Sequence, residues 1–329
     1  MKTMLLSAVC TLALAGSAMA QDVTLRASHQ FPGGKGDVRD EMVQMIARDI
    51  EAAGVGLKMQ VFPGESLFKA GDQWAAVTKG QVDITAFPLD YASGRHPEFS
   101  ATLMPGLVGN HERAARLNDS AFMESIKESI DEAGAMVLAD AWLAGGFVSS
   151  KNCITTPDSA KGQTLRAAGP AFEQMLVGAG ASISSMPSSE IYTGMQQNVL
   201  QGASTSSGSL VSFRIYEVST CLTAPGDNAL WFMYEPVIMS KRSFERLNEE
   251  QQQALLAAGE KAEAYFAEEA PKLDEKLIEA YKEAGVEVVE MSKKDYDAWL
   301  AVAKETSYKE FAEKVSNGQE LIDQALAVE

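Results

Sequence analysis

Histidine is scarce in this chain. Its 329 residues hold three, His29, His96 and His111, too few for a multi-histidine zinc site. The H-E-x-x-H zinc pair is missing, since His111-Glu112 has no second histidine, and the EF-hand spacing is absent. No G-x-x-x-x-G-K-[ST] loop and no G-x-G-x-x-G fingerprint occurs; Gly54-Val55-Gly56 lacks the third glycine. The one stretch near a G-x-S-x-G nucleophile elbow, Gly202-Ala203-Ser204-Thr205-Ser206, ends in serine. These gaps argue against nucleotide, metal and esterase chemistry, so neither enzymatic activity nor a cofactor or metal is expected. Basic residues are also few, 28 against 45 acidic, for a net charge of -17. Neutralising phosphates requires a basic face, so nucleic acid is excluded as a partner, and docking on anionic lipid is disfavoured.

What is present begins with a leader. Lys2 precedes an almost wholly apolar run from Met4 to Ala15, and Ala18-Met19-Ala20 supplies small residues at the -3 and -1 positions. This pattern predicts a secretory signal over residues 1–20, cleaved after Ala20. The run is shorter than the ~20 residues that span a bilayer. No later stretch reaches that length, so the mature chain is expected to be soluble and exported. Cys10 leaves with the leader, and Cys153 and Cys221 remain. Either they pair, as an oxidising compartment allows, or they are two buried thiols.

Along the mature chain, Val23 to His29 alternates like a half-buried strand. A helix with Met42, Val43, Ile46 and Ile50 on one face follows, then a strand over 57–62, a helix over about 71–79 and a strand over 82–87. This alternation predicts a parallel sheet with helices on its faces. Further strands are expected at 135–141, 146–150, 164–168 and 182–186. Pro170 suits the first turn of a helix behind Gly169. A helix from Pro187 carrying Ile191, Met195, Val199 and Leu200 is expected to stop at Gly202. Leu230 to Ser240 reads as one apolar strand, long enough to serve two sheets. Asn248 and Gln251 mark the start of a helix running to about Ala284, with a kink at Pro271 and a stop at Gly285.

Four segments together carry a family likeness. They are Val61-Phe62-Pro63-Gly64-Glu65-Ser66-Leu67 with Gly80-Gln81-Val82-Asp83-Ile84, and Pro97-Glu98-Phe99-Ser100 leading to Leu103-Met104-Pro105-Gly106. The third is Ile154 to Arg166, with Pro157, Asp158, Gly162 and Arg166 at fixed spacing, continuing through Ser189-Glu190-Ile191-Tyr192 to Gln201-Gly202. The last is Met239 to Leu247. In this order they resemble the DctP-like solute-binding subunit of tripartite ATP-independent periplasmic (TRAP) transporters.

The resemblance implies an α/β, two-lobed periplasmic binding protein with parallel-rich sheets, crossing hinge strands and a long helix spanning both lobes. Residues 21–145 plus 230–329 are expected in lobe I and 146–229 in lobe II. In that family the arginine that ends this proline–aspartate–glycine run pairs with the ligand carboxylate, which here is Arg166. Its position agrees independently: it closes a short strand before a helix start, where open α/β sheets bind ligands, and its planar fork suits a carboxylate. Arg26, Arg39, Arg95 and Arg214 read as ordinary salt-bridge arginines. Relatives often place an asparagine where Thr205 stands, beside Ser206, and a second arginine near Gly145. The missing cation, with Trp142, Trp231 and Phe232 nearby, favours a monocarboxylate with an aromatic or hydrophobic body. His29 and Phe87 end strands that line the cleft in relatives, with core packing the bland reading for both.

The expectation is therefore a periplasmic receptor that captures an organic acid through Arg166 and delivers it to TRAP permease subunits in the membrane. A C4-dicarboxylate or 2-oxo acid ligand is the alternative. A sensory receptor reporting to a membrane kinase and a small-ester hydrolase are the readings from other classes.

Overall fold

Two mixed sheets organise the molecule in the computed structural model, which describes residues 22–34, 36–227 and 229–328. The leader therefore lies outside the described residues. Strand β1 (Val23–His29) pairs in parallel with β2 (Leu57–Phe62) on one side and β3 (Ile84–Ala86) on the other. Helix α1 (Val38–Ala52) makes the crossover from β1 to β2 and buries Met42, Val43, Ile46 and Ile50 against the sheet, the face its sequence period marks. Asp37 caps it, its side chain accepting from the Arg39 amide. β4 (Ala135–Ala139) completes the first sheet only through β11 (Val237–Ser240), in the order β2-β1-β3-β11-β4.

The second sheet is built on β5 (Trp142–Ser149), β6 (Thr164–Arg166), β7 (Ser182–Ile183), β8 (Gly202–Ser206), β9 (Cys221–Ala224), β10 (Trp231–Tyr234) and β12 (Glu287–Glu290). Its order is β12-β9-β5-β8-β6-β7, with β10 also on β5. Ladders are parallel toward its edges and antiparallel around β5. The sheets are thus less uniformly parallel than expected, because the strands passing between lobes run against their neighbours.

The 230–240 segment does serve both sheets, but as two strands. Glu235 and Pro236 break the ladder between β10 and β11, since proline has no amide to donate. Trp231–Tyr234 and Glu287–Glu290, expected with lobe I, pair into the second sheet. Likewise the strand expected at 146–150 begins at Trp142. Helix α2 (Pro170–Gly178) follows β6 with Pro170 in its first turn. The helix expected to end at Gly202 stops at Gln196; Asn198 adopts a left-handed φ of 57°, Val199 turns outward, and Gly202 opens β8. A short helix, α3 (Ser207–Ser212), leaves β8.

Helix α4 (Glu249–Glu283) ties the lobes together over 35 residues, unbroken past Pro271. Asn248 and Gln251 cap it reciprocally: the Gln251 amide donates to Asn248 Oδ1 at 2.9 Å and the Asn248 amide to Gln251 Oε1 at 3.2 Å. Its first part buries Leu255, Ala262, Phe266 and Leu273 in the core of the first sheet. Its last turns bury Leu277 and Tyr281 in a core of the second. Gly259 is where this helix meets β4; a Cβ there would overlap the Leu138 carbonyl oxygen. Helix α5 (Lys293–Ala303) then packs Trp299 into the core around Phe147 and Phe172.

Candidate functional site

Arg166 is the last residue of β6, and local sequence puts it there. Thr156 and Ser159 form a capping box on either side of Pro157, and Gly162 turns the chain at a φ of 73° that suits only glycine well. β6 then inserts between β7 and β8, delivering Arg166 to its carboxyl end. The guanidinium is fully buried. Nε donates to the Met186 carbonyl at 2.8 Å, Nη1 to the Ser204 carbonyl at 2.9 Å, and Nη2 to the Tyr91 hydroxyl at 2.9 Å. All three acceptors are neutral, and Arg166 takes part in no ion pair among the described residues. A guanidinium has five N–H donors, so two, one on each Nη, remain after these bonds.

Tyr91 belongs to the turn after β3, in the other lobe. Its hydroxyl also accepts the Ser188 amide at 2.9 Å, and the Ser188 hydroxyl approaches Gln30 Oε1 at 3.4 Å. Gln30 directly follows β1. Phe87 packs its ring against Tyr91, with centroids 6.1 Å apart. One connected group therefore joins Gln30, Phe87 and Tyr91 of the first lobe to Arg166 and Ser188 of the second. Beside it, Asp90 is buried: one oxygen accepts from Ser93 Oγ at 3.0 Å, and Oδ2 has no hydrogen-bond partner among the described residues. Burial pushes this carboxyl up to about 7, Glu173 adding to the effect and Arg166 and Ser93 opposing it. A Cβ on Gly169 would overlap Asp90 Oδ2 and lie 2.5 Å from its Cγ, so the two lobes touch here with only a glycine between them.

A second crossing is ionic. Arg39 on α1 is 1% exposed and sits 3.7 Å above the Phe31 ring. It donates to Asp37 at 2.8 Å, to Glu235 at 3.1 Å in the hinge, and to Ser206 at 3.2 Å and Ser209 at 2.9 Å in the other lobe. Burial works against ionising Asp37, but Arg39 outweighs it and the carboxyl is lowered; in Glu235 burial wins and the carboxyl is raised. The salt-bridge reading of Arg39 is therefore accurate, and its partners give it an added role, clasping the lobes. Sequence reasoning passed over this role, and over Tyr91, Gln30 and Asp90. The only local signal was Asp37 two residues before Arg39.

Two expected residues fall into this belt without touching Arg166. His29 is buried, with Nε2 3.2 Å from Asp40 Oδ1 and its ring stacked on Phe31. Ser206 caps α3 and accepts from Arg39. Thr205 is buried in β8 opposite Gly146, and its carbonyl crowds Gly145 so closely that no side chain fits there. The tryptophans are elsewhere. Trp142 donates Nε1 to Asn118 at 2.8 Å, packs on Tyr234 and lines a separate cavity of about 370 Å³ with His111, Asp140 and Glu263. Trp231 packs in the second lobe's interior with Leu165, Phe147 and Trp299. β5 starts at Trp142, not Gly146, and this register sets its ring among the partners named above. Cys153 and Cys221 form a disulfide with Cα atoms 5.2 Å apart. Their sulfurs are thereby removed as ligands from the grouping with Glu287.

With this geometry in place, likeness to known proteins is informative. Residues 35–314 match the family described as bacterial extracellular solute-binding protein, family 7, DctP. A solute-binding protein of Albidiferax ferrireducens is 36% identical over 301 residues, spanning 90% of this chain and 89% of its own. A TRAP periplasmic solute-binding protein from Rhodoferax ferrireducens, crystallised with bound malonate, superposes with a TM-score of 0.89 at 36% identity, covering 92% of this chain and 96% of its own. An extracytoplasmic solute receptor of Bordetella pertussis that binds pyroglutamic acid has a TM-score of 0.84 at 20% identity, covering 92% and 99%, which speaks to the fold alone.

Proposed function

The chain belongs to family 7 of the bacterial extracellular solute-binding proteins, the DctP-like receptors of TRAP transporters, and from that premise we propose that it captures a small organic carboxylate through Arg166 and passes it to a membrane permease. The observation that carries this reading is a buried guanidinium with only neutral acceptors and two N–H bonds left over. A carboxylate supplies the missing negative charge and accepts both bonds. Exclusion of water between the lobes strengthens that pair by lowering the effective dielectric.

The preference for an aromatic body rested on Trp142 and Trp231, which line a separate cavity and the interior of the second lobe. Arg166 itself is held by the Tyr91 hydroxyl and two backbone carbonyls, with Ser188 and then Gln30 linked on behind Tyr91. Such polar neighbours favour a compact, oxygenated acid over a bulky apolar one. A single cation, with Gly145 closed to any side chain, keeps a monocarboxylate ahead of a dicarboxylate.

A thermal-shift panel of malonate, succinate, pyroglutamate, glucuronate, benzoate and phenylacetate, followed by calorimetry, tests this. At least one acid should raise the melting temperature of the native chain and leave that of Arg166→Ala unmoved. The proposal fails if no acid binds, or if Arg166→Ala binds the best acid as tightly as the native chain.

A further inference from the structure

We infer that Asp90, ionised while the lobes stand apart, is sealed without a donor at one oxygen when ligand capture brings them together, so that each anion captured by Arg166 is accompanied by proton uptake at Asp90. This deepens the carboxylate-receptor reading and rests on it.

The geometry is specific. A buried cation needs a nearby negative charge, and Arg166 has none in contact. Asp90 adjoins Tyr91, which holds Arg166 Nη2, and faces the helix start three residues beyond Arg166. When the lobes meet, its free oxygen is pressed against Gly169 and no donor reaches it. Parted lobes would return the carboxyl to water, where it ionises readily. The charges facing it from neighbouring elements are Arg166 on β6, which favours the anion, and Glu173 on α2, which opposes it. The turn at 97–103 carries Glu98, which is paired with His96, and β10 carries Tyr234, which is bonded to Asp140. With the ligand in place its carboxylate takes the guanidinium's two remaining donors, and Asp90, whose Oδ2 is left in a dry site with no donor, takes the proton. The step balances: one proton leaves the solvent and becomes bound to an Asp90 carboxyl oxygen.

Burial that sets Asp90 near 7 in the closed form, against the usual carboxylate range in the open form, fixes the scale. The ligand's own negative charge on Arg166 raises this carboxyl further, so uptake should be at least about half a proton per ligand at pH 7, and affinity should fall roughly fivefold to tenfold for each unit between pH 5 and 7. The experiment is calorimetry of the native chain with the panel acid giving the largest thermal shift, in PIPES and in imidazole at pH 7, where every acid of the panel is ionised. The difference in heats gives the protons taken up. The same titration on Asp90→Asn should show binding with no uptake. No uptake by the native chain, or equal uptake by Asp90→Asn, overturns the inference while leaving Arg166 as the ligand's partner. Should Asp90→Asn fail to fold, carbon-13 titration of aspartate carboxyls in the liganded native chain decides: no resonance with a midpoint at about 7 or above refutes it. Loss of all binding to the panel instead refutes the receptor reading itself.

Discussion

Replacing Gly169 with alanine probes lobe contact directly. Gly169 has an extended φ of -175°, so alanine costs the backbone little there. The obstacle is across the cleft: the added methyl would coincide with Asp90 Oδ2 and approach Cγ to 2.5 Å. Asp90 cannot easily retreat, since Ser93 holds its other oxygen and its neighbour Tyr91 is fixed by Arg166 and Ser188. Overpacking of this kind costs about 1–3 kcal/mol. The cost falls on the form with the lobes together, so it should appear in ligand affinity, as a dissociation constant weakened roughly 5- to 150-fold. The ligand-free melting temperature should change little, because parted lobes accommodate the methyl. Calorimetry on four chains, native, Gly169→Ala, Asp90→Ala and the double variant, isolates the contact. In the Asp90→Ala background the alanine at 169 should cost almost nothing. If Gly169→Ala binds as tightly as the native chain, or loses as much with Asp90 shortened, the lobes do not close on this contact.

Other expectations follow from features already described. Arg166→Ala should weaken binding by about 2–5 kcal/mol, thirtyfold or more, in the same calorimeter, with the fold retained by circular dichroism. Arg39→Met leaves Asp37 and Glu235 buried without their cation and should cost about 3–5 kcal/mol in urea unfolding; an unchanged midpoint would refute the clasp. Reducing the Cys153–Cys221 bond, which closes a separation of 68 residues, should lower stability by about 4 kcal/mol, read as a fall in melting temperature with dithiothreitol. In the ligand-saturated chain, with the lobes together, Asp90 is raised, so its contribution is full below about pH 4, falls as pH climbs and is lost once pH passes about 7. Asp90→Asn saturated with the same ligand should therefore melt higher than the saturated native chain at pH 8 and differ least at about pH 4.

The first sheet was readable because each of its elements has a period of its own: the alternation of β1, the Met42–Ile50 stripe and the Asn248–Gln251 cap are local patterns, and they fold as written. The register of β5 was not, since Trp142 to Ser149 is buried throughout and offers no alternation to count. Val199 continues the spacing of Ile191 and Met195, yet Asn198 turns left-handed and ends the pattern. Arg166 was legible because a motif leads to it. Tyr91, Gln30 and Asp90 were not, because what matters about them is contact across a cleft, between residues as far apart in sequence as 30 and 188. No local rule reports such a meeting. Trp142 was misplaced for the same reason: aromatic residues near a strand end can face either side of a sheet.

The disulfide has a mechanical consequence. Cys153 follows β5 and Cys221 opens β9, so both anchor points lie on a single jaw, the one that carries Arg166. Oxidation stiffens that jaw and adds no covalent tie to the opposite one, so the bite stays free to swing on noncovalent catches that solvent can undo.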